Sequence, residues 1–298
     1  MIKRTLLFEN PVYLSQRLEQ LVVKYHDENL PSKSVPIEDI GIVVLEHSQI
    51  TVSHSLLNKL IDNNVALIIC NSQHLPSGLF LPLNTHSAQS ERIKYQINAS
   101  LPLKKNLWQQ TVIAKIRNQK IHLIKRNIPC AKFETWEKDV KSGDSLNHES
   151  RAAVFYWNHL FGKNEFIRDP IGLPPNNLLN YGYSILRGIT ARAIVSSGML
   201  PILGIFHKNK YNAYCLADDI MEPYRPYVDL VVCEIIDSGQ SIDELNSQLK
   251  QQLLQIATID VLIDGKKSPL LNAMSRTTNS LFECFEGSSR KILYPVLE

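Results

Sequence analysis

Long apolar runs are missing from this 298-residue chain. Its apolar runs, such as Ile42 to Leu45 and Val65 to Cys70, stop far short of the roughly 18 to 20 residues that span a bilayer. No transmembrane helix and no membrane partner are therefore expected. A secretion signal is not expected either, because the apolar stretch behind Lys3 and Arg4 is cut by Glu9, Asn10 and Pro11. Paired cysteines are also lacking. Cys70, Cys130, Cys215, Cys233 and Cys284 are odd in number, widely scattered and without any Cys-x-x-Cys spacing. That argues against a disulfide framework and a zinc knuckle, and it reads as buried thiols in a reducing, cytoplasmic compartment. With only 12 Gly and 15 Pro, and no biased tract or internal repeat, fibrous and low-complexity classes are excluded. What remains is a globular chain, 44% hydrophobic and 20% charged, long enough for two domains or one large one.

The net charge of +3 conceals a strong local imbalance. Between Gln89 and Arg126 the cations are Arg92, Lys94, Lys104, Lys105, Lys115, Arg117, Lys120, Lys125 and Arg126, and Glu91 is the only acid. The remainder of the chain is therefore net negative. A concentrated positive field attracts polyanions and is the electrostatic footprint of a nucleic-acid surface. The alternative is a solvated helix face. Trp108, in the same stretch, fits a core position better than a base-stacking one.

Along the chain, the first eighty residues read as strands: Thr5 to Phe8, Val12 to Leu14, Leu18 to Tyr25, Gly41 to Glu46 and Val65 to Cys70. They are short, rich in branched residues and separated by turn formers. Leu56, Leu57, Leu60 and Ile61 recur at helical spacing behind Ser53, so one short helix is predicted over 55–61, capped by that serine. From Asn71 to Gln89 the pattern dissolves into Pro76, Ser77, Gly78, Pro82 and Asn84, the composition of a linker. Everything beyond reads as helix. The expected architecture is α+β, with a small β-strand-rich N-terminal domain over 1–82 followed by a larger all-α catalytic domain over 83–298.

Three polar residues stand out. The helix opening at Asn147-His148-Glu149-Ser150 carries the apolar stripe Ala153, Tyr156, Trp157, Leu160, and helical spacing puts Glu149 on that same side. A carboxylate there is costly unless paired or metal-bound, although a first-turn Glu also complements the helix dipole. His207 follows an apolar approach. Pro223 biases Glu222 away from helical conformation and suits the first turn of the helix carrying Val228 to Ile236, so Glu222 is placed at a helix mouth. Two carboxylates and an imidazole can hold a hard divalent cation whose other positions go to water and phosphate oxygens. Asp218, Asp219 and Asp229 compete as ligands, or serve as helix caps.

Taken together, the Asn147 to Ala153 run with the aromatic helix ending Leu160-Phe161-Gly162, the segment Leu179-Asn180-Tyr181-Gly182-Tyr183, and Asp219-Ile220-Met221-Glu222-Pro223-Tyr224-Arg225-Pro226 behind His207 resemble the CRISPR-associated integrase and endonuclease of the spacer-acquisition module, in its type II subfamily. The resemblance implies that Glu149, His207 and Glu222 hold Mg²⁺ or Mn²⁺. It implies attack by the 3′-hydroxyl of a short captured duplex on a strand at the edge of the repeat array, and hydrolytic nicking when water is the nucleophile. It also implies a homodimer, through the N-terminal domain, that flanks a small companion adaptation protein. Double-stranded DNA would lie across phosphate contacts from Arg92, Lys104, Lys105, Lys115, Arg117, Lys120, Lys208, Lys210 and Arg225. Asn180 and Tyr181 read as structural. Glu222 stands where other branches of the family carry Asp, and the type II relatives share the Glu. Two other classes remain open: a sequence-nonspecific DNA-binding scaffold without catalytic activity, and a metal phosphohydrolase of small esters that has no need of the basic segment.

Overall fold

In the computed structural model, which describes residues 3–27, 29–82, 86–162 and 166–298, the chain divides into two units, Met1–Thr85 and His86–Glu298. The boundary expected after residue 82 adjoins residues 83–85, which, with Asn84 of the expected linker, lie outside the described residues.

The first unit is built from β1 (Arg4–Phe8), β2 (Val12–Arg17), β3 (Gln20–Tyr25), β4 (Lys33–Pro36), β5 (Ile40–Leu45), β6 (Thr51–Val52), α1 (His54–Asp62), β7 (Ala66–Cys70) and β8 (Pro76–Phe80). Two four-stranded sheets result, ordered β1-β5-β7-β8 and β4-β3-β2-β6. In the first, β1, β5 and β7 run parallel and β8 returns antiparallel to β7. The run from Ile40 to Val44 is buried throughout, as a central parallel strand requires. In the second, Val12 and Leu14 of β2 and Leu21 and Val23 of β3 alternate inward and meet Leu56 and Leu60 of α1 in one core. Ser53 caps α1 as predicted, its Oγ accepting from Leu56 N.

Three features of this unit depart from the sequence reading. Leu18 to Tyr25 is not one strand: Leu18 and Glu19, with φ of 49° and 58°, form a two-residue reversal between β2 and β3 of the kind usually built from Asn-Gly. The polar β4 carries no apolar alternation. The stretch read as linker contains β8, whose Pro76 opens an edge strand where a missing N–H costs nothing.

The second unit contains α2 (Gln89–Asn98), α3 (Leu101–Lys125), α4 (Lys132–Asp139), α5 (His148–Leu160), α6 (Asn176–Ser196), α7 (Cys215–Met221), α8 (Arg225–Asp237), α9 (Ser247–Leu254), β9 (Asp260–Ile263), β10 (Lys266–Pro269) and α10 (Leu270–Glu286). It is mostly but not all helical. Asp264-Gly265, both at positive φ, turns β9 into β10, and Arg276 of α10 holds the turn through Ile263 O and the Asp264 carboxylate. Among the described residues no helix is long and apolar enough to cross a membrane. None of the five cysteines is in a disulfide; Cys130, Cys215, Cys233 and Cys284 are buried and Cys70 is half-buried.

The helix α3 organises this unit. Ser100 caps it, accepting from Leu103 N, and Trp108, Thr111, Val112, Lys115, Asn118, Gln119 and His122 are buried along it. Asn118 donates to Pro223 O at 2.7 Å and Pro295 O at 3.0 Å and accepts from Leu297 N at 3.0 Å. That clasp fixes the short turn Glu222–Tyr224, between α7 and α8, against α3. On the other side α6 meets α8 closely enough that a methyl on Gly182 would come within 2.4 Å of Val228 Cγ1.

Candidate active site

Glu149 sits in the first turn of α5. Asn147 holds the N-cap position without a side-chain bond, and the capping is done by Asp144, whose two carboxylate oxygens accept from His148 N and Glu149 N at 2.9 Å each. Glu222 stands one short turn before α8, close to the helix mouth expected from the sequence, but its backbone is helical (φ −52°, ψ −46°) despite the following Pro223, and the proline in the first turn of α8 is Pro226. The structure brings the two carboxylates onto one cation. Lys115 Nζ lies 2.8 Å from Glu149 Oε1 and 2.6 Å from Glu222 Oε2, with side-chain exposures of 11%, 20% and 6% for Lys115, Glu149 and Glu222. The far side of Glu222 is held by Arg225 Nε at 3.0 Å from Oε1, and the Arg225 guanidinium lies over the Tyr183 ring.

His207 is placed by Asp219. The segment behind Gly204 wraps around that buried carboxylate: Ile205 N and Phe206 N donate to Oδ2 at 2.7 and 3.0 Å, and His207 N donates to Oδ1 at 3.2 Å. His207 Nδ1 lies 2.5 Å from Oδ1. Glycine is required here, since a methyl on Gly204 would fall 2.4 Å from His207 O. Phe206 stacks flat on Trp108 at 4.2 Å, and Trp108 meets the His207 ring edge-on. With Nδ1 committed to Asp219, Nε2 is the nitrogen left to meet a ligand.

The electrostatics follow from these contacts. Burial pulls the Lys115 ammonium down, but Glu222 and Glu149 together outweigh it and hold the group above its ordinary value. Burial pushes the Glu222 carboxyl up, and Arg225 and Lys115 bring it below the usual range. The hydrogen bond to Asp219 raises His207 against the effect of burial, and the nearby charges of Asp219, Glu222 and Glu149 add to the rise.

Among the described residues no three His, Cys, Asp or Glu side chains share a metal-binding position. The donor set nonetheless suits a hard cation. Two carboxylate oxygens from different elements already converge on a single positive atom, and an imidazole oriented by a carboxylate lies within reach of their charge.

The competing acids are engaged elsewhere. Asp218 pairs with Arg187 at 2.6 Å. Asp229 is buried among Tyr156 and Tyr183, both donating to it, and burial pushes it up to about 7. Asn180 binds Arg168 and Pro170 O, and Tyr181 is fully buried.

The residues read as phosphate contacts separate into groups. Lys105, Lys208 and Lys210 are exposed and Lys104 is half-buried. Arg117 and Lys120 both pair with Glu137 at 2.8 Å. Arg92 donates to Ser197 O and lies over Phe282. Lys115 and Arg225 belong to the carboxylate centre. Sequence reasoning missed this last role, and it missed Asp219 as the partner that orients His207. The signal for Lys115 was its spacing: it falls four residues from Thr111 and Gln119 and seven from Trp108 and His122, on the buried side of α3.

A family model described as CRISPR associated protein Cas1 matches residues 5–264. The chain is 35% identical over 279 residues to the CRISPR-associated endonuclease Cas1 of Neisseria meningitidis serogroup C (strain 8013), covering 93% of this chain and 90% of that one. Among solved structures, a casposase bound to integration product superposes with a TM-score of 0.79 at 20% identity, over 98% of this chain and 92% of that one. A Cas6-RT-Cas1–Cas2 complex gives 0.71 at 20% identity, over 97% of this chain and 35% of that one. At such identity these two bear on the fold alone, which they share with a β-sheet unit followed by a mostly helical one. The extent of the family match, together with the near full-length identity to the Neisseria relative, makes this chain a member of the CRISPR associated protein Cas1 family.

Proposed function

We propose that this chain is a metal-dependent DNA integrase and endonuclease, acting in the cytoplasm, that inserts short captured foreign DNA into a CRISPR repeat array. The observation that carries the reading is the convergence of Glu149 and Glu222, from two separate elements, on one cation position, with His207, held by Asp219, near enough to feel their charge. Glu149, Glu222 and His207 Nε2 are the groups that would hold Mg²⁺ or Mn²⁺. When bound, the ion supplies positive charge to the scissile phosphate and to the attacking and leaving oxygens.

The chain's own part is to place donors and substrate. Asp219 keeps the His207 Nδ1 proton in place and turns Nε2 outward. Trp108 and Phe206 wall the imidazole on its apolar side. The exposed Lys105, Lys208 and Lys210, with Lys104, contact DNA phosphates without reading bases. In the joining reaction the 3′-hydroxyl oxygen of the captured duplex bonds to phosphorus as the bond to the leaving 3′-oxygen breaks, and the proton of the attacking hydroxyl ends on the leaving oxygen. Water in place of the hydroxyl gives a nick. The Neisseria relative's name, an endonuclease, supports the nuclease activity, and the joining step and a working assembly of a dimer of this chain with a small companion protein are part of the same proposal.

The test is joining of short duplexes to a repeat-bearing plasmid with Mg²⁺ or Mn²⁺, with and without the companion. Glu149→Ala, His207→Ala and Glu222→Ala should each abolish joining while leaving duplex binding intact. Full activity in two of the three would sink the proposal. Salt-sensitive DNA binding that ignores a chelator and is never followed by joining would leave a scaffold in its place.

A further inference from the structure

We propose that Lys115 is a built-in counter-cation, which occupies the cation position of the centre in the metal-free protein and must withdraw before a divalent ion can bridge Glu149 and Glu222. The inference rests on the metal-dependent reading above and deepens it. Its basis is geometric. The ammonium lies 2.8 and 2.6 Å from the two oxygens that an ion would bridge, and Mg²⁺ and Mn²⁺ bind oxygen at about 2.0 to 2.2 Å. Two cations cannot share that space, on steric and on Coulombic grounds.

Nor could the two carboxylates face one another unaided. Both are largely buried, and two negative charges brought onto one point are strongly unfavourable without a positive partner. Arg225 serves only the far oxygen of Glu222 and makes no contact with Glu149 that would replace Lys115. A lysine suits a temporary occupant better than an arginine would, since its point charge rides on a flexible four-carbon stem with no fixed hydrogen-bonding fork. Ion binding is therefore an exchange, and the observed affinity is the intrinsic affinity reduced by the cost of dislodging the ammonium.

The experiment is a Mn²⁺ titration of the full chain, followed by the electron paramagnetic resonance signal of free aqueous Mn²⁺. Lys115→Met, which keeps the stem and removes the charge, should bind Mn²⁺ about tenfold more tightly than wild type or better, the equivalent of about 1.4 kcal/mol. Adding Glu149→Gln and Glu222→Gln should remove the site in both backgrounds. Wild-type binding that needs both glutamates, with no gain in Lys115→Met, overturns the exchange and leaves the metal site standing. Failure of wild type and Lys115→Met alike to bind Mn²⁺ overturns both. A second measurement uses only wild-type protein. Acetylation of Lys115, read by mass spectrometry, should speed up when saturating Mn²⁺ releases the ammonium, and an unchanged rate overturns the proposal.

Discussion

Asp219→Asn isolates the group that orients the histidine. In the wild-type protein one carboxylate receives four donors, two on each oxygen: Ile205 N and Phe206 N on Oδ2, His207 N and Nδ1 on Oδ1. An amide has one acceptor oxygen. If that oxygen keeps Ile205 and Phe206, the amide nitrogen faces two donors. The backbone N–H of His207 then loses its partner, and Nδ1 must give up its proton to accept from the amide, which moves the imidazole proton to Nε2. That is the nitrogen needed for a metal. Charge-assisted hydrogen bonds are worth about 1.5–3 kcal/mol each, and burial already pushes the Asp219 carboxyl up, so part of that is returned when the charge is removed. A net loss of about 2 kcal/mol follows, read by urea unfolding, with a 10–100-fold fall in joining rate, the usual cost of disturbing a residue that orients a metal ligand. Stability within about 0.5 kcal/mol of wild type, together with an undiminished rate, would refute the orienting role.

Three further perturbations test other parts of the structure. Gly182→Ala drives a methyl to 2.4 Å from Val228 Cγ1 and should cost about 1–3 kcal/mol by thermal melting, with Val228→Ala in the same chain recovering much of the loss. His122 is buried neutral and held at about 4, chiefly by burial, against 6.5 in the unfolded chain. The unfolded chain therefore takes up the proton first, and about 3 kcal/mol of stability is lost as pH falls from 6.5 to 4. Asp229, pushed up to about 7, acts with the opposite sign in that range, so the check is the difference between wild type and His122→Asn measured at pH 7 and pH 4.5, which should shrink or reverse on acidification. Replacing Leu18-Glu19 by Asn-Gly supplies residues that favour positive φ, and should raise stability by about 1 kcal/mol in urea unfolding.

The legible and illegible parts of this chain divide on physical grounds. Elements with a one-sided apolar pattern were readable: α1 through Leu56 and Leu60, β5 through its unbroken run, α5 through Tyr156 and Leu160. Those held by position rather than composition were not. Leu18 and Glu19 turn a hairpin although neither favours positive φ, because the paired strands on either side impose it. In β8, Pro76 and Gly78 read as a linker, yet both are tolerated at a sheet edge. The Asp264-Gly265 signal was present in the sequence and outweighed by the helical context around it. At the centre, Glu149 and Glu222 could be placed from helix spacing and from the proline after Glu222. Lys115 was counted with the cations of a DNA surface because charge sums carry no direction, whereas its spacing on α3 gives one.

The carboxylate centre also has a history within each molecule. Its groups are joined across long stretches of chain: 34 positions separate Lys115 from Glu149, and the Asn118 clasp on Pro223 spans 105. Closing such loops is entropically slow compared with forming α3 alone. The bridge can close only once α3, α5 and the turn before α8 have come together. Variants that weaken it are expected to show the loss mainly as faster unfolding rather than slower refolding, so a damaged centre should shorten the lifetime of the native protein more than it hinders its formation.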